Sequence, residues 1–259
     1  IYKMKYYHLL LLFLCILCII TVIHLYGKPK KAVTMKPKIL LSTIRNKSKI
    51  PEYIFENRNK FAKNYDHIIF DDNECVEFLD KYYGKQFSNK FKEIKNGAHK
   101  ADLFRYAYLY KFGGLYVDIK TILIKNVNDI FTDQNLTYFI FTRKNGTFYN
   151  GIIHTPPKNP IIHEMLLKSM EIQPINEYYF NLKYGTKIIQ NYILSSRIKQ
   201  GINITKYYTP NIMIFYEEFF DKSYCNNKTD RYGFCTFVVD ESNKPIIQIR
   251  DHMYTPNYI

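Results

Sequence analysis

Residues 96–120 read NGAHKADLFRYAYLYKFGGLYVDIK. Of all segments of the chain, this one has the charges that the needs of folding explain least. Apolar residues recur at helical spacing between residues 101 and 110, which predicts an amphipathic helix. Asp102 and Arg105 lie three residues apart on one face of that helix. The helix therefore carries two opposite charges where a purely structural segment would need neither.

A second charged pair follows the helix. Gly113-Gly114 predicts the helix stop, and residues 115–124 are rich in residues that favour strands. The pattern predicts a buried strand with Asp118 and Lys120 inside it. A carboxylate in an interior strand is costly unless a partner binds it. Asp118 is therefore a candidate binding residue.

Composition limits the class of protein. The chain has 259 residues, of which 47% are hydrophobic and 17% aromatic, so it is not mostly disordered and can bury one catalytic-size domain. The net charge of +14 comes from lysines spread along the whole chain, and no zinc-finger or RNA-binding motif occurs. We expect no nucleic-acid partner. Motifs for a serine nucleophile, a zinc protease, a phosphate loop or a dinucleotide are also lacking.

The N-terminus contains an apolar run. Residues 9–26 predict a transmembrane signal anchor, because a span needs roughly 17 to 25 apolar residues. The anchor follows a flank at 1–8 and precedes a basic linker at 27–37, which leaves 38–259 as the folded domain. A cleaved signal peptide is the alternative, but no small-residue cleavage site follows the run.

Two signals disagree on the orientation of this anchor. More lysines follow the run than precede it, which favours a cytosolic domain. Two features favour the lumen. The sequence contains five Asn-x-Ser/Thr acceptors for N-glycosylation, the first two at Asn46 and Asn135, and a disulfide between Cys225 and Cys235 would close a short loop. Free thiols are the alternative to that disulfide. We expect a single-pass type II protein with a lumenal Golgi or endoplasmic reticulum domain, with the orientation open.

Strands and helices alternate in the first half of the domain. The pattern predicts strands at 38–44 and 65–70 and helices at 52–63 and 74–83. This alternation predicts an α/β fold with a mainly parallel, Rossmann-like sheet flanked by helices, and ligands beyond the carboxyl ends of its strands. The second half predicts further strands at 136–142, 151–154, 234–239 and 245–249, and helices at 161–170 and 186–195.

The central motif resembles a known family. The run ADLFRY at 101–106, followed by YKFGGLYVD at 110–118, is similar to the signature of glycosyltransferase family 32, whose sugar transferases contain a DXD motif. The likeness covers most of 36–160. It implies a GT-A fold and retaining transfer of a hexose from a UDP- or GDP-sugar to a glycan, glycoprotein or glycolipid acceptor.

The resemblance also implies roles for individual residues. Asp102 would hold donor hydroxyls, Arg105 would contact the donor sugar or diphosphate, and Asp118 would be the first DXD carboxylate. Arg105 and Asp118 are thus the predicted catalytic residues. The predicted donor-binding residues are Asp102, Arg105, Tyr116, Asp118, Lys120 and Asn150. Apart from the resemblance, Tyr116 is a packing residue and Asn150 a turn former.

Lys120 departs from the family pattern, because the second DXD carboxylate is here an ammonium. In one account, Lys120 replaces the cation and the enzyme needs no metal. In another, Asp118 with His252 or Asp251 still binds Mn²⁺ or Mg²⁺. In the third, catalysis is lost and the chain is a membrane-anchored binding protein for glycans or a partner.

Overall fold

The computed structural model describes residues 38–143, 146–172, 180–195, 206–208, 212–220, 235–240 and 242–249. The predicted anchor at 9–26, the linker at 27–37, Cys225 and His252 lie outside the described residues. Within the described part of the chain, no helix is long and apolar enough to cross a bilayer. Cys235 is disulfide-bonded.

The domain begins with a parallel strand pair. Strands β1 (Lys38–Thr43) and β2 (Tyr65–Phe70) pair along their whole length, and helix α1 (Glu52–Phe61) connects them after a 3₁₀ turn at Lys47–Lys49. The β1 sequence KILLST places two fully buried leucines in the core. The sequence predicted these three elements to within two residues at each end.

Three helices then follow in close succession, namely α2 (Asp72–Tyr83), α3 (Lys85–Glu93) and α4 (Gly97–Phe112). Asp71 starts α2 with a capping box, in which its carboxylate accepts from the Asn73 and Glu74 amides at 3.0 Å. Asn96 caps α4 by accepting from the Ala98 amide at 2.9 Å. The separate helix α3 was not predicted.

The rest of the described chain adds most of the sheet. Its elements are β3 (Gly114–Val117), β4 (Ile122–Leu123), α5 (Val127–Ile130), β5 (Thr137–Thr142), β6 (Phe148–Thr155), α6 (Pro160–Ser169), α7 (Phe180–Ser195), β7 (Lys206–Tyr208), β8 (Ile212–Phe220), β9 (Cys235–Val239) and β10 (Pro245–Gln248). Strand β8 was not predicted, and the single strand predicted at 115–124 is instead two short strands, because β3 ends at Val117 and β4 begins at Ile122.

The sheet is mixed. Its strand order is β2-β1-β3-β6-β5-β8-β9-β10-β4, with β7 paired to β8. Among the described strands, the pairs β1–β2, β1–β3 and β5–β8 are parallel, and the other six pairs are antiparallel. The prediction of a mainly parallel sheet is therefore wrong. Strands β5 and β6 are joined by a short connection that leaves no room for a crossover helix.

Helix α4 lies in the interior. Residues 102–109 are all buried, and so is His99. The helix contacts the strands β1 and β3 and the helices α2, α3 and α6. The predicted amphipathic helix is thus largely covered by other elements. Its Asp102 and Arg105 are forced to find their partners within the protein.

We expect the stability of this fold to fall as the pH falls from about 6.5 to 4. The pKa of His67 in β2 is lowered to about 4 by burial and by the charge of Arg58. Between these pH values His67 is protonated in the unfolded chain but stays neutral in the folded chain, and this difference destabilises the folded state. Urea unfolding of the wild type and of His67→Gln at about pH 7.5 and 5 measures the effect. The loss of unfolding free energy on acidification should be smaller in the variant by about 1 to 2 kcal/mol. An identical loss in both proteins would contradict this assignment.

Candidate functional site

Asp118 lies in a tight turn directly after β3. Its backbone amide donates to the Gly151 carbonyl at 2.8 Å, and the Thr121 amide donates back to the Asp118 carbonyl at 2.9 Å. This second bond closes a turn over residues 118–121, here called the 118–121 turn. Lys120 lies in the same turn and is half-buried. The two charges therefore follow the strand and are not inside it.

Three side chains hold the Asp118 carboxylate. The Tyr116 hydroxyl donates to Oδ1 at 2.9 Å, and Arg105 Nη2 lies 3.3 Å from the same oxygen. The Tyr149 hydroxyl donates to Oδ2 at 3.4 Å. Thr43 completes the chain of hydroxyls, 3.1 Å from the Tyr116 oxygen. Asp118 nevertheless keeps 36% of its side chain exposed. It is oriented by the protein and still open to a ligand.

Gly151 makes this arrangement possible. A Cβ atom at residue 151 would lie 2.2 Å from the Tyr149 hydroxyl and 2.6 Å from Asp118 Oδ2. Either contact is far closer than atoms can approach, so a larger residue would displace one of the two side chains. The glycine after Asn150 is thus a requirement of the site itself.

Asp102 shares its Arg105 contact with Asp118 and is buried, with 4% of its side chain exposed. Its Oδ1 accepts from Asn150 Nδ2 at 2.7 Å, and its Oδ2 accepts from Asn181 Nδ2 at 2.6 Å. Arg105 Nη2 lies 3.3 Å from Oδ1. Burial raises the pKa of Asp102, while the charge of Arg105 and the Asn181 hydrogen bond oppose that rise. Both of its oxygens are engaged by the protein.

Arg105 joins the two carboxylates. Besides its contacts with Asp102 and Asp118, it donates from Nη1 to the Asn150 carbonyl and from Nε to the Ala101 carbonyl. Its guanidinium carbon lies 4.2 Å from the centre of the Tyr116 ring. Burial disfavours the cation, but the pKa of Arg105 is nevertheless raised, because Tyr116, Asp118 and Asp102 stabilise the positive charge. Arg105 is therefore a permanent cation between two acids.

The structure brings five of the predicted donor-binding residues into one connected network: Asp102, Arg105, Tyr116, Asp118 and Asn150. Lys120 is adjacent to it through the chain. Asn150 lies in β6, so its interpretation as a turn former is wrong. Their predicted roles toward a donor stay predictions.

Three further residues of the network were missed, namely Thr43, Tyr149 and Asn181. Thr43 ends β1, and polar residues at the carboxyl end of a parallel strand are a usable signal. Tyr149 neighbours the predicted Asn150. Asn181 carries no sequence signal, because it reaches Asp102 from 79 residues away.

The described residues do not fit a resident divalent cation. No group of three or more His, Cys, Asp or Glu side chains is gathered in the described part of the chain. Asp118 is the single carboxylate of its turn, and its Oδ1 already contacts Tyr116 and Arg105. Mg²⁺ and Mn²⁺ favour about six oxygen ligands. The metal role predicted for His252 lies outside the described residues and stays a prediction.

Comparison with known proteins points to one family. Residues 49–137 match the family model described as a glycosyltransferase sugar-binding region containing a DXD motif. This segment contains Asp102, Arg105, Tyr116, Asp118 and Lys120. It ends before Tyr149, Asn150 and Asn181, which complete the network.

Two curated relatives are also glycosyl-transferring proteins by name. An uncharacterized glycosyltransferase of Acanthamoeba polyphaga mimivirus is 26% identical over 140 residues, 53% of this chain and 55% of that protein. The mannosyl phosphorylinositol ceramide synthase of Saccharomyces cerevisiae is 26% identical over 155 residues, 58% of this chain and 38% of that protein. The chain thus spans about half or less of the relatives that it matches.

Among solved structures, the PaToxG glycosyltransferase is similar with a TM-score of 0.43 and 18% identity, over 62% of this chain and 70% of that chain.

We expect the buried pair of Asp102 and Arg105 to be strongly coupled. Arg105→Met should lower the unfolding free energy by about 3 to 5 kcal/mol, because it leaves Asp102 buried without its cation. Combining it with Asp102→Asn should cost less than the sum of the two single changes. Urea unfolding of the wild type, both single variants and the double variant measures the coupling.

The exposed pair of Lys168 and Glu171 has the same i, i+3 spacing and is the matched control. Lys168→Met should leave stability nearly unchanged, because water already solvates both charges. Strict additivity of the Asp102 and Arg105 changes would contradict a coupled pair.

Proposed function

We propose that the chain is a glycosyltransferase of the GT-A type, a proposal supported by the match of residues 49–137 to the model of glycosyltransferase sugar-binding regions that contain a DXD motif. It moves a hexose from a UDP- or GDP-sugar to a hydroxyl of a glycan, glycoprotein or glycolipid. The observation that carries this proposal is the half-exposed Asp118, oriented by Tyr116 and Arg105 at the end of β3.

The topology supports a donor site at this edge. Strands β1, β2 and β3 are parallel, so their carboxyl ends at Thr43, Phe70 and Val117 lie along the same edge of the sheet. Ligands of open α/β sheets bind beyond that edge. Asp118 and Lys120 follow directly after it. The nucleotide would therefore lie across the ends of β1 and β2, with its diphosphate toward the 118–121 turn.

Burial divides the roles within the site. Asp118 is exposed enough to accept hydrogen bonds from donor hydroxyls, as carboxylates do. Asp102 and Arg105 are each only 4% exposed in their side chains, so they act by holding Asp118 and β6 in place. In this proposal the half-buried Lys120 supplies positive charge for the diphosphate, where the family has a carboxylate.

The reaction breaks the bond between the anomeric carbon of the sugar and the diphosphate oxygen, whose electron pair leaves with the nucleoside diphosphate. The acceptor hydroxyl oxygen forms the new bond to that carbon, and its proton passes to the departing diphosphate. Positive charge beside the leaving group lowers the barrier, because negative charge grows there. Departure and attack on the same face retain the anomeric configuration, as the family resemblance implies.

Donor and membrane association are finer parts of the proposal. The yeast relative is named a mannosyl phosphorylinositol ceramide synthase, so GDP-mannose belongs in any first donor panel.

The apolar run at 9–26 would anchor the enzyme to a membrane. Loss of membrane binding after deletion of residues 1–37, with turnover kept, tests that part. Membrane binding that survives the deletion would contradict it.

Asp118→Asn should reduce turnover at least about a hundredfold, because the neutral amide cannot replace the carboxylate. Its fold should survive, since the side chain is partly exposed. Release of nucleoside diphosphate from a panel of UDP- and GDP-sugars measures turnover, and circular dichroism measures folding. Asp66→Asn, at an exposed position in β2, is the matched control and should be fully active.

Two outcomes count against this proposal. A fully active Asp118→Asn variant would remove Asp118 from the reaction. The second candidate function is a catalytically inactive binding scaffold, which the replacement of a motif carboxylate by Lys120 favours. A wild type that binds nucleotide sugars without turning them over would support this second candidate.

We expect turnover to persist in EDTA, because the described residues do not fit a resident divalent cation. Rates measured in EDTA, and after addition of Mn²⁺ or Mg²⁺, test this expectation. Activity lost in EDTA and restored by Mn²⁺ alone would show that ligands elsewhere in the chain bind a required metal. Lys120→Asp, which restores the family motif, should then raise the affinity for Mn²⁺.

A further inference from the structure

Arg58 is a buried cation that has no acidic partner in the part of the chain that the structure describes. It lies in the last turn of α1, and only 2% of the residue is exposed. Among the described residues, no carboxylate lies within 4.0 Å of its guanidinium, and its Nε has no hydrogen-bond partner. Burial lowers its pKa to about 10, so it remains charged at neutral pH. An unpaired buried charge is costly to fold.

The bonds that Arg58 does make lead to the candidate site. Its Nη2 donates to the Thr121 carbonyl at 2.7 Å, and its Nη1 donates to the Asn57 side-chain oxygen at 2.9 Å. Thr121 is the residue that closes the 118–121 turn. Arg58 therefore holds the end of the turn that follows Lys120.

Asn57 extends this attachment to the next residues of the chain. Its side-chain oxygen accepts from the Leu123 amide, and its side-chain nitrogen donates to the Leu123 carbonyl, both at 2.9 Å. The turn is thus fixed on both sides. Gly151 accepts from the Asp118 amide at its start, and α1 holds Thr121 and Leu123 after it.

We propose that Arg58, assisted by Asn57, is a positioning residue for the donor diphosphate. It fixes the 118–121 turn and places a positive charge next to Thr121. This inference rests on the proposed function, because it assumes that the turn binds a nucleoside diphosphate. The sign of the charge suits that ligand. A diphosphate would bring negative charge to a buried cation that has no carboxylate partner among the residues that the structure describes.

The geometry explains why the position favours arginine. The planar guanidinium donates to the Thr121 carbonyl and to the Asn57 side-chain oxygen at the same time, from two nitrogens in a fixed geometry. A lysine ammonium has a single nitrogen and cannot make both bonds in this geometry. Arg58→Lys keeps the charge and loses this pair of hydrogen bonds. Arg58→Met keeps the length of the side chain and loses both. The two variants therefore separate charge from positioning.

The test measures the Kd of the nucleoside diphosphate, UDP or GDP, by isothermal titration of the full chain. Arg58→Met should raise the Kd about tenfold to a hundredfold, because small displacements of a binding group have effects of this size. Arg58→Lys should recover part of the loss. In steady-state kinetics, the KM for the donor should rise more than kcat falls.

Ile54→Ala is the matched control for stability. Ile54 is fully buried in the same helix, one turn before Arg58, so its truncation should weaken the fold. It should leave the Kd within about twofold of the wild type, because no bond to the turn is lost. A Kd raised equally by Ile54→Ala and Arg58→Met would overturn the proposal.

Asn57→Ala keeps the proposal testable if Arg58→Met does not fold. Asn57 is only partly buried, and its removal frees Leu123. Weaker diphosphate binding supports the proposal. Unchanged binding by Asn57→Ala and by every folded Arg58 variant overturns it while the proposed function stands. A wild type that binds neither UDP nor GDP overturns the proposed function itself.

Discussion

The contact of one buried guanidinium with two carboxylates organises this molecule. Arg105 reaches Asp102 within its own helix and Asp118 at the end of β3, each at 3.3 Å, and it donates to the backbone of Asn150 in β6. One side chain thus joins a helix and two strands. Because Arg105 and Asp102 are both buried, neither can move away without leaving a buried charge unpaired.

Two consequences follow for the chemistry. The buried charges of Arg105 and Asp102 cancel each other, so the partly exposed Asp118 carries the remaining negative charge of the network. The exposed part of the site is the Asp118 carboxylate, with Lys120 in the same turn and Arg58 bonded behind it. An anion that arrives at this turn therefore meets a carboxylate that can accept hydrogen bonds and cations that can offset its charge. A nucleoside diphosphate sugar combines both requirements.

The sequence was sufficient where the signal is local. The periodicity of 38–44 and 65–70 predicted β1 and β2, and the spacing of Asp102 and Arg105 predicted their shared face. It failed where the deciding contacts are distant. The β5–β6 hairpin makes the sheet mixed, and Asn181 reaches Asp102 across 79 residues of chain. Arg58 was not singled out, because nothing in its neighbourhood along the chain distinguishes it from an exposed helix residue.

The central claim is that the 118–121 turn binds the diphosphate of a nucleotide sugar. A crystal structure of the chain with a UDP- or GDP-sugar that it binds tests this most directly. The account predicts the diphosphate beside Asp118 and Lys120, with the nucleoside across the carboxyl ends of β1 and β2. A nucleotide bound elsewhere on the chain, with the turn left open to solvent, would contradict it.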